Sequence, residues 1–357
     1  MRRGLLRWDE DELPLGVLDE RALRLRGAME KDGLDAFIVY TNLVRPSAVS
    51  YLTGFTPYWS EGLLLVPRDA APVFATALSK RVATWIRSVS PGGEIVNAPQ
   101  PGMALGARLA TDPSVRRVGV LELDDLPSGS YDDLTTAAPS CEFVDATRVF
   151  AEVRRGADPA EVALLARADA IAVAALDHVE ETNVSDAGAL AGAVEKHARL
   201  AGAEEAYIAV APDLAADRRM IRATPALTLG DLFAVRASIA YKGHWVRRTR
   251  TFAANTAARD VIRRADAWFA NLIASLAAGT PLAQHIAARV QELPQARLVS
   301  WMAESCIGSY PLQVVAGTRS QAGYEPAERD FLVLSIEFAM AGQPWLGAAP
   351  AIVGVGL

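Results

Sequence analysis

Apolar positions along this chain recur with two periods, and the alternation between them predicts its elements. A helical spacing over about Asp19–Lys31 precedes the apolar run GLDAFIVY, a buried-strand pattern, and then the loop TNLVRPSAVSYLTGF. EGLLLVPRD and APVFATAL are two strands joined by a Pro/Asp/Ala turn. Further helix-strand alternation ends in RRVGVLELDDL and CEFVDATRVFAEVR, so the first 150 or so residues form a compact α/β domain. The second half opens with helices. In DPAEVALLARADAIAVAALDHVEE, Asp158 is the N-cap, Pro159 takes the first helical position and Glu161 follows, while DAGALAGAVEKHARLAG is capped by Ser185 or Asp186. RDVIRRADAWFANLIASLAAG and PLAQHIAARVQEL are amphipathic helices, and ARLVSWMAES, YPLQVVAG and DFLVLSIEFAMAG supply strands. No solenoid-period repeat or low-complexity tract interrupts this order.

Between those helical blocks lies GDLFAVRASIAYKGHWVRRTRTF, Gly230 to Phe252, which reads as a β-hairpin. Leu232, Ala234, Arg236 and Ser238 alternate with Phe233, Val235 and Ala237, Lys242 and Gly243 make the turn, and the strand resumes from Trp245. Arg236, Arg247, Arg248 and Arg250 therefore sit on two adjacent strands. An unpaired charge in so apolar a strand is costly, so Arg236 calls for a carboxylate partner or an anionic ligand. The plainer alternative is a solvated strand face carrying scattered arginines.

Composition narrows the class. The chain has 357 residues, 51% of them hydrophobic, enough for two domains with real cores. A net charge of -6 gives nucleic-acid binding no global electrostatic support. Cys141 and Cys306 are far apart, which argues against a disulfide framework or a cysteine-built zinc site and fits a reducing cytoplasm. MRRGLLRWDEDELPLG turns acidic within ten positions, and no apolar run long enough for a signal or membrane helix follows it.

The hairpin also resembles a family motif. In the pita-bread proteins (methionine aminopeptidase, Xaa-Pro dipeptidase, creatinase; the M24 metallopeptidase superfamily) the equivalent stretch reads approximately GDxxxxDxGxxxxGYxxDxTRTF, with both Asp residues binding metal. Here Gly230-Asp231 and Thr249-Arg250-Thr251-Phe252 match the frame, and Arg236 and Arg247 fall on the two ligand positions. The first half is similar to the creatinase-type N-terminal domain through KDGLDAFIVY, SYLTGF and VFAEVRRGADPAEVALLARADAIA, the last matching that family's domain link. The resemblance covers essentially the full length. It implies an α/β (α+β) protein with a creatinase-like N-terminal domain over 1–156 and a pita-bread domain over 157–357.

It further implies a metal site whose ligands are replaced. Glu304-Ser305-Cys306-Ile307-Gly308 matches the family's GHGIG-like motif with Ser305 at the histidine, and LSIEFAMAG keeps one acid as Glu337. At the final ligand position GAAPAIVGV offers Ala348, Ala349 and Pro350. One carboxylate does not hold a divalent transition metal, so neither metal nor other cofactor is expected. The family's substrate-contacting histidine corresponds to Arg218 or Arg219. The implied cavity is rimmed by Arg218 or Arg219, Arg236, Arg247 and Arg250, with Glu337 as its acid, and takes a small anion. Creatinase, which lacks the metal, holds its substrate carboxylate with arginines and hydrolyses a carbon-nitrogen bond using a histidine and glutamates; Glu337 matches one of these, and its histidine has no counterpart.

Among the histidines, His178, His197 and His285 lie on helices as surface or interface residues, whereas His244, three positions before Arg247, is a candidate acid or base or simply a turn residue. Ser305 and Cys306 are candidates for ligand contact; Cys306 lacks a neighbouring base for nucleophilic work. Tyr310 is a candidate proton donor or a packing residue. Creatinase-type homodimers bring an N-terminal loop to the partner's site, which makes Tyr58 and Trp59 candidates for substrate stacking, with core packing as the alternative, and Arg45 a further anion contact or a surface residue. Three readings follow: a metal-independent enzyme acting on a small carboxylated or phosphorylated compound, by hydrolysis of a carbon-nitrogen bond or as a lyase or rearrangement enzyme on the same scaffold; a catalytically inactive binding or regulatory module; and a conventional metallopeptidase with its ligands elsewhere, disfavoured by the scarcity of histidine and acid in every candidate motif.

Overall fold

The computed structural model describes residues 8–56, 60–90, 93–181, 186–222, 227–319, 323–355 and 357. Two compact units divide the chain, one running to Arg155 and including Cys306–Gln313, the other comprising Gly156–Ser305 and Val314–Leu357.

In the first unit the elements run α1 (Leu15–Lys31), β1 (Ala36–Thr41), α2 (Ser47–Thr53), β2 (Gly62–Pro67), β3 (Val73–Thr76), α3 (Lys80–Val89), β4 (Glu94–Asn97), α4 (Pro101–Ala110), β5 (Arg117–Val120), α5 (Ser128–Ala137), β6 (Glu142–Asp145) and α6 (Thr147–Arg154). The strands form a mixed six-stranded sheet in the order β4-β3-β2-β1-β5-β6. Helices bury both of its faces: Phe37 and Val39 pack with α1, α2, α3 and α6, while Ile38 and Tyr40 pack with α4 and α5. Burial on two sides is why AFIVYT is apolar without alternation.

Two details depart from the sequence expectation. Helix α1 starts at Leu15, directly after Pro14, and the segment expected to be a loop contains α2. Its Pro, Ser, Thr and Gly content signals a turn, yet Ala48, Val49, Tyr51 and Leu52 are all buried, and Gly54 at φ 71° closes the helix by donating to the Ser50 carbonyl. Tertiary burial overrides local propensity there.

The second unit continues with α7 (Pro159–Glu181), α8 (Ala187–Leu200), β7 (Glu205–Ala211), β8 (Leu232–Tyr241), β9 (His244–Ala253), α9 (Thr256–Ala274), α10 (Leu282–Gln291), β10 (Ala296–Ser305), β11 (Gln313–Gly317), β12 (Phe331–Met340) and β13 (Gln343–Ile352). Asp158 accepts from the Glu161 amide at 2.8 Å and Asp186 caps α8 through the Ala189 amide; Ser185 lies outside the described residues. The strands make a seven-stranded sheet, β11-β10-β12-β13-β9-β8-β7. Helix α7 packs on β8 and β9, and α9 on β13, β9 and β12. Between α9 and the sheet, Trp345 stacks on Phe338 at 4.6 Å between ring centres and meets Phe269 edge-on, while Trp268 meets Phe338 edge-on. Among the described residues no helix is long and apolar enough to cross a membrane.

The aromatic stack leaves no room beside it. A Cβ at Gly347 would run into the Trp345 indole, so Gly347→Ala is expected to cost about 1–3 kcal/mol of stability, read as a lower urea midpoint. The Trp345 indole N–H donates to Asp266 at 2.9 Å. Burial pushes the Asp266 carboxyl above the usual carboxylate range, against the Trp345 hydrogen bond and the nearby Arg250. Folding thus favours its protonated form: the stability it contributes is present below the ordinary aspartate value and is lost as pH rises through the raised one. Asp266→Asn is expected to remove that loss, which a series of urea midpoints from acidic to neutral pH checks.

Candidate functional site

The arginine hairpin fixes the geometry of the site. Lys242 and Gly243 turn at φ 47° and 79°, a pair of left-handed residues suited to a two-residue hairpin, and the register sets Arg236 opposite Thr249 and Ser238 opposite Arg247. Because side chains alternate across a strand, Arg236, Ser238, Arg247 and Thr249 share one face and Arg248 and Arg250 take the other. On that second face Arg248 forks onto Asp169 of α7, with one contact at 2.8 Å, and Arg250 pairs with Asp177.

The first face opens on a cavity of about 530 Å³, whose described lining residues belong to the second unit. Arg218, Arg236, Arg247 and Arg319 line it, against Glu337 as the one lining carboxylate among the described residues. Glu337 is directly opposite Ser300 in the sheet; it accepts from the Arg218 guanidinium at 2.8 Å and from the Ser300 hydroxyl at 3.2 Å. Arg247 pairs closely with the buried Glu304 and also donates to Ser238 at 3.2 Å. Arg236 differs: among the described residues it has no hydrogen-bond or ion-pair partner. Burial and then the Arg247 guanidinium lower its proton affinity below the ordinary arginine value, with Glu304 opposing. A cation held under desolvation beside a second cation attracts an anion, and a planar guanidinium suits a carboxylate or phosphate.

The structure thus brings Arg218, Arg236, Arg247 and Glu337 together. Of the two arginines left open by the sequence, Arg218 reaches Glu337, whereas Arg219 is exposed and pairs with Asp217 at 2.6 Å. Arg250 leaves the site because its parity on β9 is opposite to that of Arg247. His244 is buried at the turn end of the hairpin, its Nδ1 3.0 Å from the Lys242 carbonyl, and does not line the cavity. Ser305 donates to the Phe331 carbonyl at 2.7 Å and is likewise absent from the lining. Cys306 and Tyr310 belong to the first unit: the buried Cys306 thiol contacts the Pro311 carbonyl, and the Tyr310 hydroxyl accepts from Arg45 at 2.9 Å. Arg45 itself pairs with Glu122 and Asp125, so its charge is spent within that unit. Tyr58 and Trp59 lie outside the described residues.

Sequence reasoning missed Ser300 and Glu304 as partners. The signal was present: in ARLVSWMAES the period-two positions Ser300, Met302 and Glu304 share the face of Glu337, opposite in parity to the motif residue Ser305. A divalent cation does not fit this donor set. The cavity supplies one carboxylate already engaged by Arg218 and Ser300, and among the described residues no three or more His, Cys, Asp or Glu are grouped to hold a metal.

Removing Glu304 tests this electrostatic arrangement. Glu304→Gln leaves Arg247 and Arg236 facing one another and is expected to cost about 3 kcal/mol. Sulfate should raise the melting temperature of the variant more than that of the wild type, and equal shifts would show that the two guanidiniums do not share one anion site.

Known proteins bear on the fold. Residues 21–155 match the Creatinase/Prolidase N-terminal domain family. No curated protein matches the sequence. Among solved structures, the prolidase from Pyrococcus horikoshii OT3 is 15% identical with a TM-score of 0.71, covering 94% of this chain and 96% of that one. The X-Pro aminopeptidase from Thermotoga maritima MSB8 is 14% identical with a TM-score of 0.72 over 92% and 95% of the two chains. The Xaa-Pro dipeptidase from Bacillus anthracis is 18% identical with a TM-score of 0.69 over 94% and 95%. The N-terminal unit is therefore a creatinase/prolidase N-terminal domain, and the chain carries the pita-bread fold of prolidases and Xaa-Pro dipeptidases.

Proposed function

We propose that this protein is a metal-independent, creatinase-like hydrolase that acts on a carbon-nitrogen bond of a small carboxylated molecule. The observation that carries this reading is the unpartnered, desolvated guanidinium of Arg236 facing the same cavity as Glu337. In the proposed chemistry Arg236, with Arg247 beside it, holds the substrate carboxylate, which positions the scissile bond. Glu337, held by Arg218 and Ser300, takes a proton from a water whose oxygen attacks the carbon. The carbon-nitrogen bond breaks, its electron pair stays on nitrogen, and the proton returned from Glu337 completes the departing amine.

One observation favours a second reading, a non-catalytic anion-binding module. Among the described residues no imidazole lines the cavity, and both oxygens of Glu337 are already engaged. The two readings separate in a single set of measurements on chelator-treated protein: anion-dependent thermal shift, and amine release from small N-substituted carboxylates. Glu337→Gln is expected to keep the thermal shift and lower amine release at least 100-fold, while Arg236→Ala loses both. Thermal shift without amine release from any substrate selects the binding module. Stoichiometric zinc, manganese or iron in the purified protein, with activity lost on chelation, overturns metal independence.

A further inference from the structure

We infer that the anion taken by this cavity is amphiphilic, with one carboxylate head at Arg236 and an apolar body of several carbons. The inference rests on the anion-binding reading above and specifies its ligand. The cavity has one strong demand for negative charge. Arg218 and Arg247 already carry Glu337 and Glu304, Arg319 is exposed to solvent, and only Arg236 combines desolvation with the lack of a partner among the described residues.

A head group alone leaves most of the space unfilled. A volume of about 530 Å³ lies in the range of sites that enclose whole organic ligands. Two of the lining hydroxyls are engaged, that of Ser300 on Glu337 and that of Thr318, which accepts from the Trp301 amide at 2.8 Å and donates to its carbonyl, while Thr249, opposite Arg236, and Ser335 add hydroxyls on the charged strand face. The rest of the lining includes several apolar side chains. Met220, Val299 and Met302 are only half-buried around the cavity, and Val314 on the edge strand β11 keeps 53% of its surface exposed. A hydrocarbon body seated on these side chains removes their surface from water, whereas a hydrated or multiply charged ligand loses solvation there without replacement.

Calorimetric titration of the full chain with sodium acetate, butanoate and hexanoate at constant ionic strength tests this. Affinity is expected to rise about fourfold per methylene, and hence about 250-fold over the four methylenes from acetate to hexanoate. Hexanol and hexylamine, which lack the anionic head, are expected not to bind. Arg236→Ala should lose hexanoate at least tenfold, with folding verified by its urea midpoint, and Arg236→Lys should restore part of it. Met302→Ser should weaken hexanoate while leaving acetate unchanged. An acetate affinity equal to that of hexanoate overturns the apolar body and leaves anion binding standing. Equal binding of hexanol and hexanoate overturns the head at Arg236. No binding of any carboxylate overturns the anion reading itself.

Discussion

Lys242 and Gly243 close the hairpin with both residues at positive φ, and the register they set governs which of its arginines share a face. With a period of two, one register sends Arg247 to the cavity beside Arg236 of β8 and Arg248 and Arg250 to the helix face; a slip of one residue along β9 would turn Arg248 and Arg250 to the cavity and Arg247 to the helices. The wrong set would then face α7, whose Asp169 and Asp177 now pair with Arg248 and Arg250. Those carboxylates make the observed register the one in which four neighbouring arginines are distributed between two faces with partners for three.

The remaining arginine defines the cavity. Arg247 is balanced by Glu304, and Glu337 by Arg218, so the neighbourhood of Arg236 is short of negative charge rather than merely rich in arginine. A half-buried cation with no partner costs stability unless something compensates it, as an anion in the cavity would. The same arrangement is hostile to a divalent cation, which would meet guanidiniums on the strand face where a ligand set is needed.

Much of this was legible from the sequence. Buried-strand runs, the capping residues Asp158 and Asp186 and the hairpin turn all have local causes, and the structure places them as the pattern implies. Helix α2 was not legible, because its turn-forming residues are helical only under burial in the first unit's core. Exclusion of Arg250 was legible in principle from its parity with Arg247. The choice of Arg218 over Arg219 was not, since both precede the hairpin in an irregular segment and only Glu337, more than a hundred residues later, distinguishes them.

The sequence by itself determined the order of most elements, the clustering of arginines on one hairpin and the presence of Glu337, because periodicity, turn chemistry and composition act over a few residues. Only the tertiary structure decided which charges meet. It seated Glu304 against Arg247 and Ser300 against Glu337, left Arg236 without a partner among the described residues, and placed Cys306 and Tyr310 in the other unit. Charge compensation depends on distances between strands far apart in the chain, and the sheet's pairing alone sets those distances.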